Sequence, residues 1–284
     1  MTFSIVGRSP DGSALGVAVA SKFLAVGGFV PALEVGVGAL ATQAAVNLAL
    51  KGEGLALLRG GATAGEALDR FLAADEGRAE RQAGAVDASG RAATRTGSDC
   101  HPWAGGEAGE GPEGSFAVQG NILVGAEVVD AVVASWRGSA AERSLPRRLL
   151  AALAAGDAAG GDRRGRQSAA LVVVARGGGY GGSDVVVDLR SDDDPDPVAH
   201  LARMLAEHEL LFGRTPPEEL LAWDDALRAE VRGLLDAAGA GGGALEADLE
   251  RWAGAQNLEE RVRPGGADRL DPVLLEQLRH AAAG

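Results

Sequence analysis

Two side-chain amides flank a glycine at Gln119-Gly120-Asn121, inside the otherwise apolar run from Phe116 to Val124. An Asn amide beside backbone N–H groups is the donor set of an oxyanion hole, where each donor is typically worth ~3–4 kcal/mol. The plainer alternative is a strand bulge whose amides satisfy the backbone. Thr42-Gln43 and Asn47 follow a glycine-rich strand and offer hydroxyl and amide groups to a cleft. Asp162-Arg163-Arg164-Gly165-Arg166-Gln167 carries three guanidinium groups. Such forks grip carboxylates bidentately, so the loop suits an anionic substrate group, with a solvated loop or a subunit contact as the alternatives.

Other combinations carry less chemistry. Cys100 and His101 are adjacent on an extended loop, where neighbouring side chains point apart. His200, His208 and His280 stand too far apart in sequence for metal-ligand spacing, and the run Asp192 to Asp196 reads as a solvated turn and helix cap. Neither a metal nor a cofactor is expected, and there is no phosphate-binding Gly-x-x-x-x-Gly-Lys-Ser/Thr string. A formal charge of −13 argues against nonspecific binding to nucleic acid or anionic membrane. A single cysteine excludes an internal disulfide. Of 27 basic residues only Lys22 and Lys51 are lysines, in a chain otherwise written in arginine, which marks both for attention. The N-terminus lacks an export pattern and no run approaches the ~18 apolar residues of a membrane span, so a cytoplasmic protein is expected.

The elements that must position these groups are short. Alternation makes Thr2 to Gly7 a strand, and Pro10-Asp11-Gly12 turns it into a second, Leu15 to Ala20. Val35 to Thr42 is a third strand, and Lys51 falls in the loop that follows it. Leu55 to Leu72 has helical spacing, with Thr63 as a cap between two helices. Gln82 to Val86 and Arg91 to Thr96 flank a hairpin turn, and Cys100 to Gly114 reads as a long loop. Helices over Val128 to Trp136 and Leu145 to Ala155 precede strands at Ala169 to Ala175 and Asp184 to Arg190, then a helix from Val198 to Leu211. Hairpin-joined strands and paired helices indicate α+β layering. After Thr215-Pro216-Pro217 the pattern turns helical: Glu218 to Ala237, Leu245 to Ala255, and a last helix capped by Asp271-Pro272. Two domains are expected, 1–213 and 217–284.

Several strings together resemble the family called domain of unknown function 1028. They are Thr2-Phe3-Ser4-Ile5-Val6, Gly16 to Gly27 around Ser21-Lys22-Phe23, Gly38 to Ala44, Gln119 to Gly125, and Gly160 to Ser168. The resemblance implies the N-terminal-nucleophile (Ntn) hydrolase fold, a four-layer α-β-β-α sandwich. The tail resembles a peptidoglycan-binding helical module. In an Ntn hydrolase the first residue of the mature chain is the nucleophile, and its α-amine (reference pKa ~8) serves as base. Removal of Met1 would make that residue Thr2. The resemblance thus implies Thr2 as the catalytic nucleophile; Lys22, as a nearby positive charge, would lower the pKa of the nucleophile or its amine, and Asn121 would serve as the oxyanion donor. Ser4, Ser21, Thr42, Gln43, Gln119, Asp162, Arg163 and Arg166 would bind substrate. The second strand here lacks the Asp that follows it in the proteasome branch, so the mechanism is not a copy of that one. The expected activity is hydrolysis of a small amide or ureido bond by a homodimer. The alternative is a non-catalytic scaffold of the same fold that binds peptidoglycan fragments through its C-terminal helices.

Overall fold

The computed structural model describes residues 2–262 and 268–284. It divides into two compact units, Met1–Leu205 and Ala206–Gly284. The first unit holds two antiparallel sheets. Strands β1 (Thr2–Arg8) and β2 (Ala14–Ser21) form a hairpin at the centre of the larger sheet. It is completed by β7 (Gly105–Gly109), β8 (Ser115–Asn121), β9 (Ser168–Ala175) and β10 (Val185–Ser191), in the order β10-β9-β2-β1-β8-β7. The smaller sheet is β3 (Pro31–Glu34), β4 (Gly38–Ala44), β5 (Arg81–Asp87) and β6 (Ala92–Thr96), in chain order.

The central strands are buried on both faces, and their alternation sorts residues between two apolar layers. Phe3, Ile5, Ala18 and Ala20 pack with α4 (Glu127–Gly138) and α5 (Leu145–Ala158) through Val132, Trp136, Leu149 and Leu153. Val6, Val17, Val19 and Ala117 point the other way, against Ala39, Ala41 and Val86 of the smaller sheet. On that sheet's far face Leu40, Ala83 and Ala85 meet Leu50, Leu68 and Phe71 of α2 (Ala49–Arg59) and α3 (Ala64–Ala74). Close approach explains a glycine in β1: a Cβ on Gly7 would stand 2.8 Å from the Trp136 ring. Thr63 caps α3 as the sequence indicates, in a reciprocal capping box with Glu66.

Several elements differ from the sequence reading. The segment 100–114 is not all loop, since β7 lies inside it. That strand is Gly-Gly-Glu-Ala-Gly, which has no side-chain alternation to reveal it and is held by its backbone ladder to β8. Lys51 lies within α2, and its ammonium donates to the carbonyl of Gly28. Strand β3 was not indicated by sequence pattern; it is four residues long and opens on a proline. The helix expected from Glu218 starts only at Asp225, because Asp224 caps it and Leu221–Ala222 forms a short strand, β11, paired with β12 (Arg269–Leu270).

In the second unit α7 (Asp225–Ala237), α8 (Leu245–Ala255) and α9 (Pro272–Ala283) enclose Val231, Leu235, Leu249, Trp252, Leu274 and Leu278. The break between units falls inside α6 (Pro197–Phe212), eight residues before the expected 213 boundary, since Leu210 and Leu211 pack on this second core. Its buried acids are engaged: Asp271 pairs with Arg261 at 2.9 Å, and Asp248 with Arg232 at 2.6 Å. No helix among the described residues is long and apolar enough to cross a membrane.

Candidate functional site

Strand register builds a polar cluster between the two sheets. Thr2 opens β1 opposite Asn121, and Ser4 lies opposite Gln119. On the other side Phe3 pairs with Ala20, which sets Ser21 beside Thr2. By period two, Thr2, Ser4, Ser21, Gln119 and Asn121 share the face that looks at the smaller sheet. There the same alternation delivers Gln43 from β4 and Gln82 from β5, directly paired neighbours. All seven side chains are buried.

The hydrogen bonds form a connected set. Thr2 Oγ1 is 3.1 Å from Ser21 Oγ. The carbonyl of Thr2 accepts from Gln43 Nε2 (3.0 Å) and Asn121 Nδ2 (3.4 Å). Gln119 Nε2 donates to Ser4 Oγ (2.6 Å), which donates to Gln43 Oε1 (2.7 Å). Gln82 Oε1 accepts from both Gln43 Nε2 (2.8 Å) and Asn121 Nδ2 (2.9 Å), while its own amide donates to Gly120 O (2.7 Å) and Thr96 Oγ1 (2.9 Å). Every member of this set is a neutral hydroxyl or amide. A connected, buried network of this kind fixes its members in place, so Thr2 sits in a rigid, uncharged setting.

The remaining sequence candidates divide clearly. Gln119-Gly120-Asn121 forms no bulge; it keeps continuous register with β1. Asn121 uses its amide N–H groups on Gln82 and Thr2, so it positions the Thr2 backbone. Thr42 is buried on the opposite face of β4 from Gln43, on the side of Leu40 and the helices. Asn47 bonds Asp75 across the start of α2. Lys22 follows the last residue of β2, one place beyond Ser21, and its side chain is exposed. It lines a cleft with Arg166, Gln167, Asp193 and Asp194. Asp162 accepts the Lys22 backbone N–H at 2.8 Å and that of Arg164 at 2.8 Å, so it ties the arginine loop to the end of β2. The three guanidinium groups do not converge. Arg164 pairs with Asp162, Arg166 is clasped by Asp157 at 2.7 and 3.0 Å, and Arg163 is exposed.

Two cavities flank the cluster. One, of about 190 Å³, is lined by Phe3, Ala20, Ser21, Asp162 and Arg166. The other, of about 530 Å³, is lined by Ala44, Glu80, Asp99, Cys100, Asn121 and Ile122, with Ala45 and His101. Thr2 is hydrogen-bonded to one residue of each: Ser21 and Asn121. Burial pushes the Cys100 thiol up from its ordinary value, with the charges of Asp99 and Glu80 adding to the effect. Among the described residues no group of three or more His, Cys, Asp and Glu side chains could hold a metal ion.

Compared with protein-family models, residues 2–201 match the family of unknown function DUF1028. The chain belongs to that family. A crystal structure of a DUF1028 protein from Silicibacter pomeroyi is similar to this chain at 32% identity and a TM-score of 0.65, covering 73% of this chain and 89% of that one. No curated protein matches. The DUF1028 match takes in both sheets and the whole Thr2 cluster.

Two features of this DUF1028 site escaped sequence reasoning. Gln82 is the hub of the amide network, yet in sequence it is only the polar start of a small apolar strand. The available signal was its two-residue spacing from Gly84 and Val86 on the inward face. The second is backbone strain at the larger cavity. Ala44 (φ 66°) and Ile122 (φ 51°) are left-handed, and for a β-branched residue that conformation costs on the order of 1–3 kcal/mol. Ile122 is held there by its N–H bond to the carbonyl of His101.

Proposed function

We propose that this protein is an Ntn-type amidohydrolase that cleaves a small amide or ureido bond with Thr2 as nucleophile, once Met1 has been removed. Met1 itself lies outside the described residues. The observation that carries the reading is the way Thr2 is held: its hydroxyl lies 3.1 Å from Ser21 Oγ, and two side-chain amides grip its carbonyl. Two sheets face to face, each backed by a helix pair, agree with the α-β-β-α layering that such enzymes use. No side chain of the network ionises, so the α-amine of Thr2 is the one base offered by the nucleophile's own setting. That is the arrangement in which a hydroxyl is activated by its own N-terminus.

In this reading Thr2 Oγ1 attacks the carbonyl carbon and the α-amine takes its proton. The C–N bond then breaks, and the amine leaves with that proton. Water attacks the resulting ester, releases the acid and restores the hydroxyl. Gln43, Asn121 and Gln82 keep the Thr2 backbone from moving as charge develops, which is the preorganisation catalysis requires. In this scheme Asp162 and Arg166 line the smaller cavity beside Ser21, and the exposed Lys22 takes no proton. The scaffold reading draws on no comparable observation, since the buried acids of the C-terminal unit are spent on its own arginines. The test is hydrolysis of a panel of amides and carbamoylated amino acids by untagged protein. Thr2→Ala should abolish turnover with the fold intact, and turnover by Thr2→Ala at the wild-type rate would refute the reading.

A further inference from the structure

We propose that the outer edge of β10 is the interface on which a second copy of this chain seats, the two β10 strands pairing antiparallel about a two-fold axis at Leu189. The inference is independent of the reading of Thr2. Strand β10 ends the larger sheet, with β9 on one side and no strand on the other. No backbone–backbone hydrogen bond of residues 187–191 leads away from β9 among the described residues. An open row of N–H and C=O groups is a template for another strand.

The strand's own sequence selects a copy of itself. Its register with β9 shifts between Val185 and Val187 and is continuous over residues 187–191, so the regular run has Leu189 at its middle. A two-fold axis there sets Asp188 opposite the partner's Arg190, and Arg190 opposite the partner's Asp188. Both side chains are exposed on one face of the strand, and they already pair within it at 2.9 Å. Pairing with a copy therefore sets each carboxylate between two guanidinium groups. An axis centred on Asp188 or on Arg190 would place like charges face to face, which is destabilising. Charge on an edge strand usually keeps neighbours away. Here the two charges are opposite and two residues apart, so the edge is complementary to itself, as a two-fold interface requires.

An apolar surface adjoins this edge. The stem of Arg190 lies against α1 (Val26–Phe29), where a Cβ on Gly27 would stand 3.3 Å from it. Phe29 and Phe23 are exposed and meet edge to face, with ring centroids 5.4 Å apart, and Leu24 between them in sequence is exposed as well. The segment that carries them is tied to the end of the sheet. Ala25 donates its N–H to the carbonyl of Asp192, the residue after β10, and Val26 donates to Ser168 Oγ of β9 at 3.0 Å. Rings already held in place lose little freedom when a partner covers them. Backbone pairing fixes the register of the two copies, and the rings add apolar area to be removed from water.

The experiment is sedimentation velocity on the full chain across micromolar concentrations, with hydrogen exchange of the β10 peptide in the same samples. The wild type should sediment as a dimer, and exchange in β10 should slow as the dimer forms. Asp188→Arg sets like charges opposite each other on both sides of the axis and should weaken the dimer by about tenfold or more. Asp188→Arg combined with Arg190→Asp restores opposite charges at both places and should recover it. Both side chains are exposed and such a pair contributes little to the single chain, so the variants should fold, as melting curves will show. A wild type that stays monomeric overturns the proposal, in favour of a different partner for the exposed rings. A dimer that is indifferent to Asp188→Arg, or whose β10 exchanges as fast as in the monomer, overturns it in favour of another face. Failure of the double variant to recover the dimer overturns the pairing about Leu189.

Discussion

Gln82→Leu is the perturbation that separates a network built to hold Thr2 from a merely polar interior. Leucine matches the volume closely, so no large cavity forms and the loss is one of hydrogen bonds. The change removes the acceptor shared by Gln43 Nε2 and Asn121 Nδ2 and the donor to the carbonyl of Gly120. A buried group left unsatisfied costs about 1–3 kcal/mol. Gln43 retains the carbonyls of Thr2 and Gln119 as acceptors, so its loss is small. Asn121 keeps only a 3.4 Å contact, and Gly120 O loses its side-chain donor. Two such losses sum to roughly 3 kcal/mol, about a 150-fold rise in the opening equilibrium of the surrounding strands. Because the chain has two compact units, a global melt would blend their responses. Hydrogen exchange followed by mass spectrometry reads peptides of β1, β4 and β8 directly, with α7 to α9 as internal control. Protection should fall in those strands and stay constant in the C-terminal helices. A change below about twofold in β1 and β8 would refute the claim that Gln82 anchors the site.

Three further outcomes follow from the geometry. Gly84→Ala places a methyl group onto the Gln119 side-chain amide, so it should displace that side chain and loosen Ser4; a crystal structure of the variant with Gln119 unmoved would contradict this. Cys100, its thiol raised by burial, should react slowly with iodoacetamide at neutral pH and gain rate only above pH 9, whereas a rate already at its plateau below pH 8 would disprove the assignment. Asp248 is held down to about pH 2 by hydrogen bonds from Arg232 and the Gly243 N–H, against 3.8 in the open chain. Its folded pKa is depressed, so its contribution is complete above about pH 4 and lost as pH falls toward 2. The C-terminal unit should lose thermal stability across that window, and Asp248→Asn should flatten the dependence.

Much of this site was legible because strands obey a period of two. Once Thr2 to Gly7 and Leu15 to Ala20 are read as a hairpin, Thr2, Ser4 and Ser21 share a face. The amides of Gln119 and Asn121 follow when β8 pairs on the other side. The same rule separates what was grouped together. Thr42 stands one residue from Gln43, and one residue reverses the face of a strand, while Lys22 lies just past the end of β2. The arginine loop was legible as charge, but not as charge already spent, because Asp157 reaches Arg166 from the end of α5 and Asp162 turns back on Arg164 within the loop. Gln82 lay beyond sequence reasoning for a related cause. Its importance comes from the packing of one sheet on the other, which places Asn121 and Gln43 on either side of a single carbonyl oxygen. Strand β7 left no trace because glycine backbone alone holds it to β8.

The central claim is that Thr2 becomes the N-terminal nucleophile. Untagged protein treated with a reactive β-lactone and digested for peptide mass spectrometry tests it most directly. The N-terminal peptide should begin at Thr2 and carry the full lactone mass on that residue. A retained Met1, or an adduct found on Cys100 with Thr2 unmodified, would contradict the account.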